Sequence, residues 1–217
     1  MIDCPITIAG EAVTLLPERA LFWPRTSTLF VADLHWGKAA TFRAHSIAIP
    51  EGSTTGDLAR LSQTIARTKA QRLVFLGDLL HARAGRTDTT FAPIHTWCEQ
   101  HTQLEMLLVR GNHDHHAGDP PDEWGITCVD APSALPPFVL LHQPGNPAKG
   151  YGLAGHLHPA VQLTGKGQQR IKLACFWFGS HVGILPAFGS FTGTAVVTPE
   201  PADQVYVIAD DEVIPVF

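Results

Sequence analysis

One pattern, repeated three times in the first half of the chain, constrains the fold more than any other: a short apolar run that leads straight into residues able to hold a metal. Residues 28–32 (TLFVA) run into Asp33-Leu34-His35. Residues 72–76 (RLVFL) run into Gly77-Asp78, with His81 three positions further on. Residues 104–109 (LEMLLV) lead to Gly111-Asn112-His113-Asp114. Aliphatic and β-branched runs this short read as buried strands. Between them, residues 57–69 place Leu58, Leu61 and Ile65 at helical spacing behind Asp57 as N-cap, and residues 87–101 read as a second helix interrupted by Pro93. The β-α-β-α-β order predicts parallel strands joined by right-handed crossovers. In open sheets of this kind ligands bind at the carboxyl ends of the strands, so three polar strand ends in a row describe one crevice.

The second half has a different rhythm. Apolar runs at 126–129, 138–141, 151–154, 171–178 and 182–187 alternate with Gly, Pro and Asn clusters. Residues 206–208 and 213–216 flank 209–212 as a closing hairpin, and residues 6–8 and 12–15 form another around 9–11. No repeat or linker divides the chain, and the Pro-rich 133–137 is too short to do so. The sequence therefore predicts one mixed α/β domain over residues 1–217 with two packed sheets. Apolar residues make up 45% and charged residues 16%, enough for a large core and too little charge for disorder. The formal charge of −5 rules out a global positive field, so any polyanion needs a local basic patch or bound cations. Four scattered cysteines without a CxxC pair predict free thiols. The start of the chain lacks the pattern of a secretory signal, and no run approaches the ~20 apolar residues of a membrane span, so a cytoplasmic protein is expected.

The second half also supplies imidazoles. Residues 138–141 lead into His142, and 151–154 into Gly155-His156-Leu157-His158. Residues at i and i+2 of an extended segment project to one side, which predicts that His156 and His158 reach one site, as do Asp33 and His35. Oxygen and imidazole donors without thiolate suit manganese, iron or zinc.

The ordered set of DxH, GD, GNHD, a lone His and GHxH resembles the calcineurin-like metallophosphoesterase superfamily, from Ala32 to His158. The resemblance implies a four-layer α-β-β-α sandwich with mixed sheets, and two divalent cations, with manganese the expected choice. Carried over by motif, Asp33, His35 and His158 would bind one cation, Asn112, His142 and His156 the other, and Asp78 would bridge them. His113 would act as an acid at the leaving group, oriented by Asp114. The expected reaction is in-line attack on phosphorus by a metal-bridging hydroxide. Where the family usually carries aspartate at the end of its second motif, this chain has His81, a candidate partner of a ligand or substrate.

A narrower likeness lies in residues 21–24 (LFWP), 33–39 (DLHWGKA) and 186–193 (PAFGSFTG), which resemble the DNA ligase-associated metallophosphoesterases. It implies a phosphodiesterase or endonuclease acting on single-stranded or damaged DNA in repair, alongside a DNA ligase, a helicase and a second nuclease. From the residues themselves, Lys38, Arg43, Arg83 and Arg86 are candidates for lining the crevice mouth and contacting the phosphate backbone, and Trp36 for stacking a base. The alternative substrate is a small nucleotide, a cyclic dinucleotide or a lipid-linked pyrophosphate. A third reading is a metal-binding scaffold without activity, which the intact motifs disfavour.

Overall fold

In the computed structural model, which describes residues 1–165 and 167–216, the three apolar runs become neighbouring parallel strands. The first sheet is formed by β1 (Cys4–Ile8), β2 (Glu11–Leu16), β3 (Ala20–Trp23), β4 (Thr28–Val31), β5 (Arg72–Phe75), β6 (Glu105–Val109) and β7 (Ile126–Val129), in that spatial order. β1 to β4 pair antiparallel and β4 to β7 parallel, so the sheet is mixed. The helices that accompany it are α1 (Lys38–Ala44), α2 (Ser53–Thr68), α3 (Asp88–Gln100) and α4 (Asn112–Ala117).

The second sheet takes β8 (Ser133–Leu135), β9 (Phe138–Leu140), β10 (Tyr151–Ala154), β11 (Pro159–Thr164), β12 (Arg170–Phe178), β13 (Val182–Ile184), β14 (Ala195–Val196), β15 (Gln204–Ala209) and β16 (Glu212–Pro215). Its order is β14-β11-β12-β13-β10-β9-β8, with the β15–β16 hairpin paired to β12. It too is mixed, since β10 runs parallel to both β9 and β13.

Alternation along the strands explains the layering. Successive side chains of a strand point to opposite faces. Phe30, Val74 and Val109 turn inward to meet Phe138, Leu153 and Phe176 of the second sheet. Leu29, Val31, Leu73, Phe75, Met106 and Leu108 turn outward to meet Leu58 and Leu61 of α2 and Ile94 and Trp97 of α3. The central strands are thus apolar on both faces, which is why they read as continuous runs. All four cysteines are free, as expected.

Some boundaries differ from the sequence reading. α2 starts at Ser53 behind Gly52, so Asp57 is not its cap but a buried residue inside it. β3, α1, α4 and β8 carry too few residues to show a period, and were not expected. The run at 182–187 stops being a strand at Ile184, because the following residues turn toward the crevice.

Candidate metal centre

The crevice lies at the carboxyl ends of β4, β5 and β6, faced by the turns after β9 and β10. Asp33 and Asp78 follow β4 and β5 and are 0% and 2% exposed. Among the described residues, neither has a lysine or arginine within ion-pair distance; the side chains at that distance are imidazoles. Two buried carboxylates at one site without a counter-charge are costly, and bound cations would neutralise them.

A cluster of imidazoles alone, His35, His81 and His113, keeps its ligand atoms within 4.8 Å of one another; so do two clusters that contain a carboxylate, Asp33, His35 and His158 in the first, Asp78, His142 and His156 in the second. Asp78 spans both. Its Oδ2 lies 3.7 Å from His35 Nε2 and its Oδ1 3.4 Å from His142 Nε2. Asn112 joins the second cluster, with Oδ1 3.0 Å from His142 Nε2. The structure thus brings together Asp33, His35, Asp78, Asn112, His142, His156 and His158. The residues present fit a pair of hard or borderline cations in donor type and number.

Backbone carbonyls orient the imidazoles. His142 Nδ1 donates to Leu76 O at 3.0 Å and His158 Nδ1 to Gly193 O at 3.1 Å, which leaves Nε2 of each ring facing the carboxylates. The carboxylates are held in turn: His156 N donates to Asp33 at 2.8 Å and His113 N to Asp78 at 2.9 Å.

The reason these residues converge is not the one the sequence suggested. Asp33, His35, Asp78, His156 and His158 all have positive φ, between 48° and 73°. Neither the DxH nor the GHxH segment is extended, so the i, i+2 argument fails. Left-handed residues curl each segment around the site at a cost of about 1–3 kcal/mol apiece, a strain that concentrates at functional sites. Close packing does the rest. A Cβ on Gly111 would sit 2.2 Å from Asp78 Oδ1, so only glycine lets that turn approach the carboxylate.

Beside the first cluster stand His81 and His113, stacked at 4.7 Å with 20° between their planes. His81 Nδ1 lies 3.3 Å from His35 Nδ1, and Phe42 stacks on its other side. His113 Nδ1 donates to the His81 carbonyl at 2.7 Å, which directs its Nε2 away from that turn. Asp114 does not orient His113 directly. Its oxygens accept from Leu80 N at 3.0 Å and Gly111 N at 2.8 Å, so it builds the turn instead of touching the ring. Burial, and then the neighbouring His113, His158, His81 and Lys38, hold His35 down at about 2; burial, with His113 and Lys38, holds His81 at about 4. Burial raises Asp78 despite the opposing His142. For His158, burial acts downward, but the bond and charge of Asp33 with the Gly193 carbonyl raise it overall.

The remaining candidates divide. Lys38 opens α1 next to His35, its Nζ 5.9 Å above the Phe191 ring. Arg83 is exposed and donates to His116 O at 3.1 Å. Arg43 is turned elsewhere: it donates to Ile49 O, faces Glu51, and lines a separate cavity with residues 51–55. Arg86 is a tether, donating to the carbonyls of Ala117, Gly118 and Asp119 and lying over Phe91. Trp36 cannot stack a base, being 1% exposed and packed on Phe75 and Trp97. The carbonyls of Leu76, His81 and Gly193 went unseen because a main-chain acceptor leaves no mark in residue identity.

The model of the calcineurin-like phosphoesterase family matches residues 26–172. The solved structure of Pseudomonas putida nuclease MPE is 40% identical, with a TM-score of 0.85 over 99% of this chain and 100% of that one. Yfce, a phosphoesterase from E. coli, is similar at 17% identity over 86% of this chain and 96% of its own, with a TM-score of 0.40, too distant to bear on the site. No curated protein matches. Fold and donor set together define a metal-dependent phosphoesterase. The chain belongs to the calcineurin-like phosphoesterase family.

Proposed function

We propose that this protein is a dinuclear phosphodiesterase that cuts DNA, single-stranded or damaged, during repair. The observation that carries the reading is the pair of buried carboxylates, Asp33 and Asp78, which share one crevice with imidazoles and have no lysine or arginine at ion-pair distance among the described residues. The nuclease with which the chain aligns over nearly its whole length supports a nucleic acid as substrate.

In this reading Asp33, His35 and His158 would hold one cation, Asn112, His142 and His156 the other, and Asp78 would serve both. Manganese is the proposed metal, with iron and zinc as alternatives. When bound, the two cations supply a hydroxide at neutral pH and neutralise charge on the phosphoryl oxygens. The chain's own groups do the remainder. His113, its Nδ1–H committed to the His81 carbonyl, carries a proton on Nε2 to the leaving oxygen. Lys38, whose ammonium is favoured less than usual because of its burial, places positive charge beside the phosphate. Asp114 shapes the turn that presents Asn112 and His113. Residues 1–217 act as one catalytic domain, in a repair system that includes a DNA ligase, a helicase and a second nuclease.

The test is purified protein with manganese against labelled single-stranded, duplex and flap DNA, with Asp78→Asn as control. Cleavage of single strands that vanishes in the control is expected. Hydrolysis of a small diester with no cleavage of any DNA form would replace the DNA reading with the small-molecule one. A salt titration adds a second discriminator, because binding of a DNA backbone weakens steeply with salt and binding of a small diester much less.

A further inference from the structure

Residues 185–193, which carry the PAFGSFTG stretch, tie the two halves of the first donor cluster together. Phe188 N donates to Ala32 O at 2.8 Å and Gly189 N to Asp33 O at 3.2 Å, so one end of the loop is stapled to the Asp33 segment. At the other end the Gly193 carbonyl takes Nδ1–H of His158, and Ala195 N donates to His158 O. The loop therefore bridges the Asp33 and His158 segments, alongside the direct bond from His156 N to the Asp33 carboxylate.

Two residues of α2 grip the loop from outside. Both oxygens of Asp57 accept from Ser190 N at 3.1 Å. Arg60 lies 4.2 Å over the ring of Phe188, donates to the Phe188 carbonyl, and pairs with Asp57 at 2.9 Å. Asp57 is 3% exposed. Arg60 is partly exposed, so the pair adds little stability over apolar residues of the same size, whereas its bonds reach the loop main chain at 188 and 190. Packing α2 against the sheet is already achieved by Leu58 and Leu61. What the pair adds is a defined place for the main chain at 188 and 190.

We infer that Asp57 and Arg60 are positioning residues for the cation site of Asp33, His35 and His158, acting through the loop at 185–193. The inference rests on the metal-centre reading above. Groups one bond removed from a ligand change metal affinity 10–100-fold, and this pair acts one step further out, so an effect at the low end, about 10-fold, is expected.

The experiment is calorimetric titration of manganese into chelator-stripped protein for wild type, Asp57→Asn, Arg60→Met and Arg67→Met, with melting temperatures recorded in parallel. Arg67 lies on the same helix but bonds Asp3 and Glu18, with no hydrogen bond to the loop among the described residues. Asp57→Asn and Arg60→Met should each weaken one of two manganese sites about 10-fold and leave the other unchanged. Arg67→Met should lower the melting temperature and leave both sites intact. Equal weakening of both sites, wild-type affinity in both α2 variants, or the same selective loss in Arg67→Met would overturn the inference. If Asp57→Asn does not fold, Arg60→Met carries the expectation alone, since it removes both the bond to the Phe188 carbonyl and the charge beside Asp57. Failure of wild type itself to bind manganese would instead bring down the metal-centre reading, and this inference with it.

Discussion

Replacing Gly77 by alanine isolates how tightly the fold crowds the second donor cluster, because a matched control exists in the same chain. Gly77 has φ +85° and Gly10 has φ +79°, so alanine at either position carries a similar left-handed penalty, about 1–2 kcal/mol. Their surroundings differ completely. No atom lies within 4 Å of a Cβ on Gly10, whereas a Cβ on Gly77 would stand 2.1 Å from His142 Nδ1 and 2.5 Å from its Cγ. Ordinary contact begins near 3.4 Å, so the His142 ring must withdraw by about 1.3 Å. Metal–ligand distances tolerate about 0.2 Å, several times less than that displacement. The shift also breaks the bond from His142 Nδ1 to the buried Leu76 carbonyl, worth about 1–3 kcal/mol when left unpaired. Gly10→Ala should therefore cost about 1–2 kcal/mol and bind two manganese ions. Gly77→Ala should cost about 2–5 kcal/mol, a fall of roughly 4–20 °C in melting temperature at 2–4 °C per kcal/mol, and bind one ion. Metal stoichiometry on the purified variants and a thermal melt decide the matter. Two ions held at wild-type affinity by Gly77→Ala, with no more thermal loss than Gly10→Ala, would refute the placement of His142.

Three further outcomes are expected. His113→Ala should retain both cations and hydrolysis of an activated nitrophenyl diester, yet lose DNA cleavage by about 10²–10⁴-fold; undiminished cleavage of an unactivated diester would remove the acid role. Lys38→Ala should lower the slope of log affinity against log salt for DNA by about one, whereas Arg86→Ala, which frees three carbonyls, should leave that slope alone and cost about 1.5–3 kcal/mol in a urea melt. The metal-free protein should lose stability as pH falls below 6.5. His35 is held at about 2 and His81 at about 4 when folded, so below 6.5 the unfolded chain binds protons that the folded chain refuses, at up to about 1.4 kcal/mol per pH unit for each. Urea melts from pH 7.5 to 4.5 read that slope, and an equal slope in His35→Gln would show that another group sets it.

What could be read from the sequence follows from how each feature is encoded. The parallel strands β4, β5 and β6 were legible because both of their faces are buried, which forces uninterrupted apolar runs. The donor residues were legible because only a few side-chain types bind cations and these occur directly after the runs. Position inside the crevice was not. Arg43 and Arg86 look like Lys38 in a string of letters, and the direction of each side chain is set by carbonyls at 49 and 117–119 that any residue would present. Trp36 adjoins a donor in sequence and yet packs on Trp97, because His35 at φ 49° turns the chain between them.

That same turn points to how the site is stabilised before any cation arrives. Five donors in left-handed backbone oppose folding, and the readiness of Asp and His to enter that region lowers the cost without supplying the contact that holds them there. Each curled segment is instead secured by a bond across the crevice: Asp33 accepts from the amide of His156, and Asp78 from the amide of His113. The DxH segment is thereby locked to the GHxH segment, and the GD turn to the GNHD turn. The side chains that would hold cations are thus also those that hold the backbone in register. A donor cluster built this way is preorganised, so cation affinity is not spent on ordering the chain. It follows that removing Asp33 or Asp78 damages two things at once, the charge that attracts the cation and the geometry of the segment opposite, whereas removing His156 or His113 as side chains leaves the amide bonds in place.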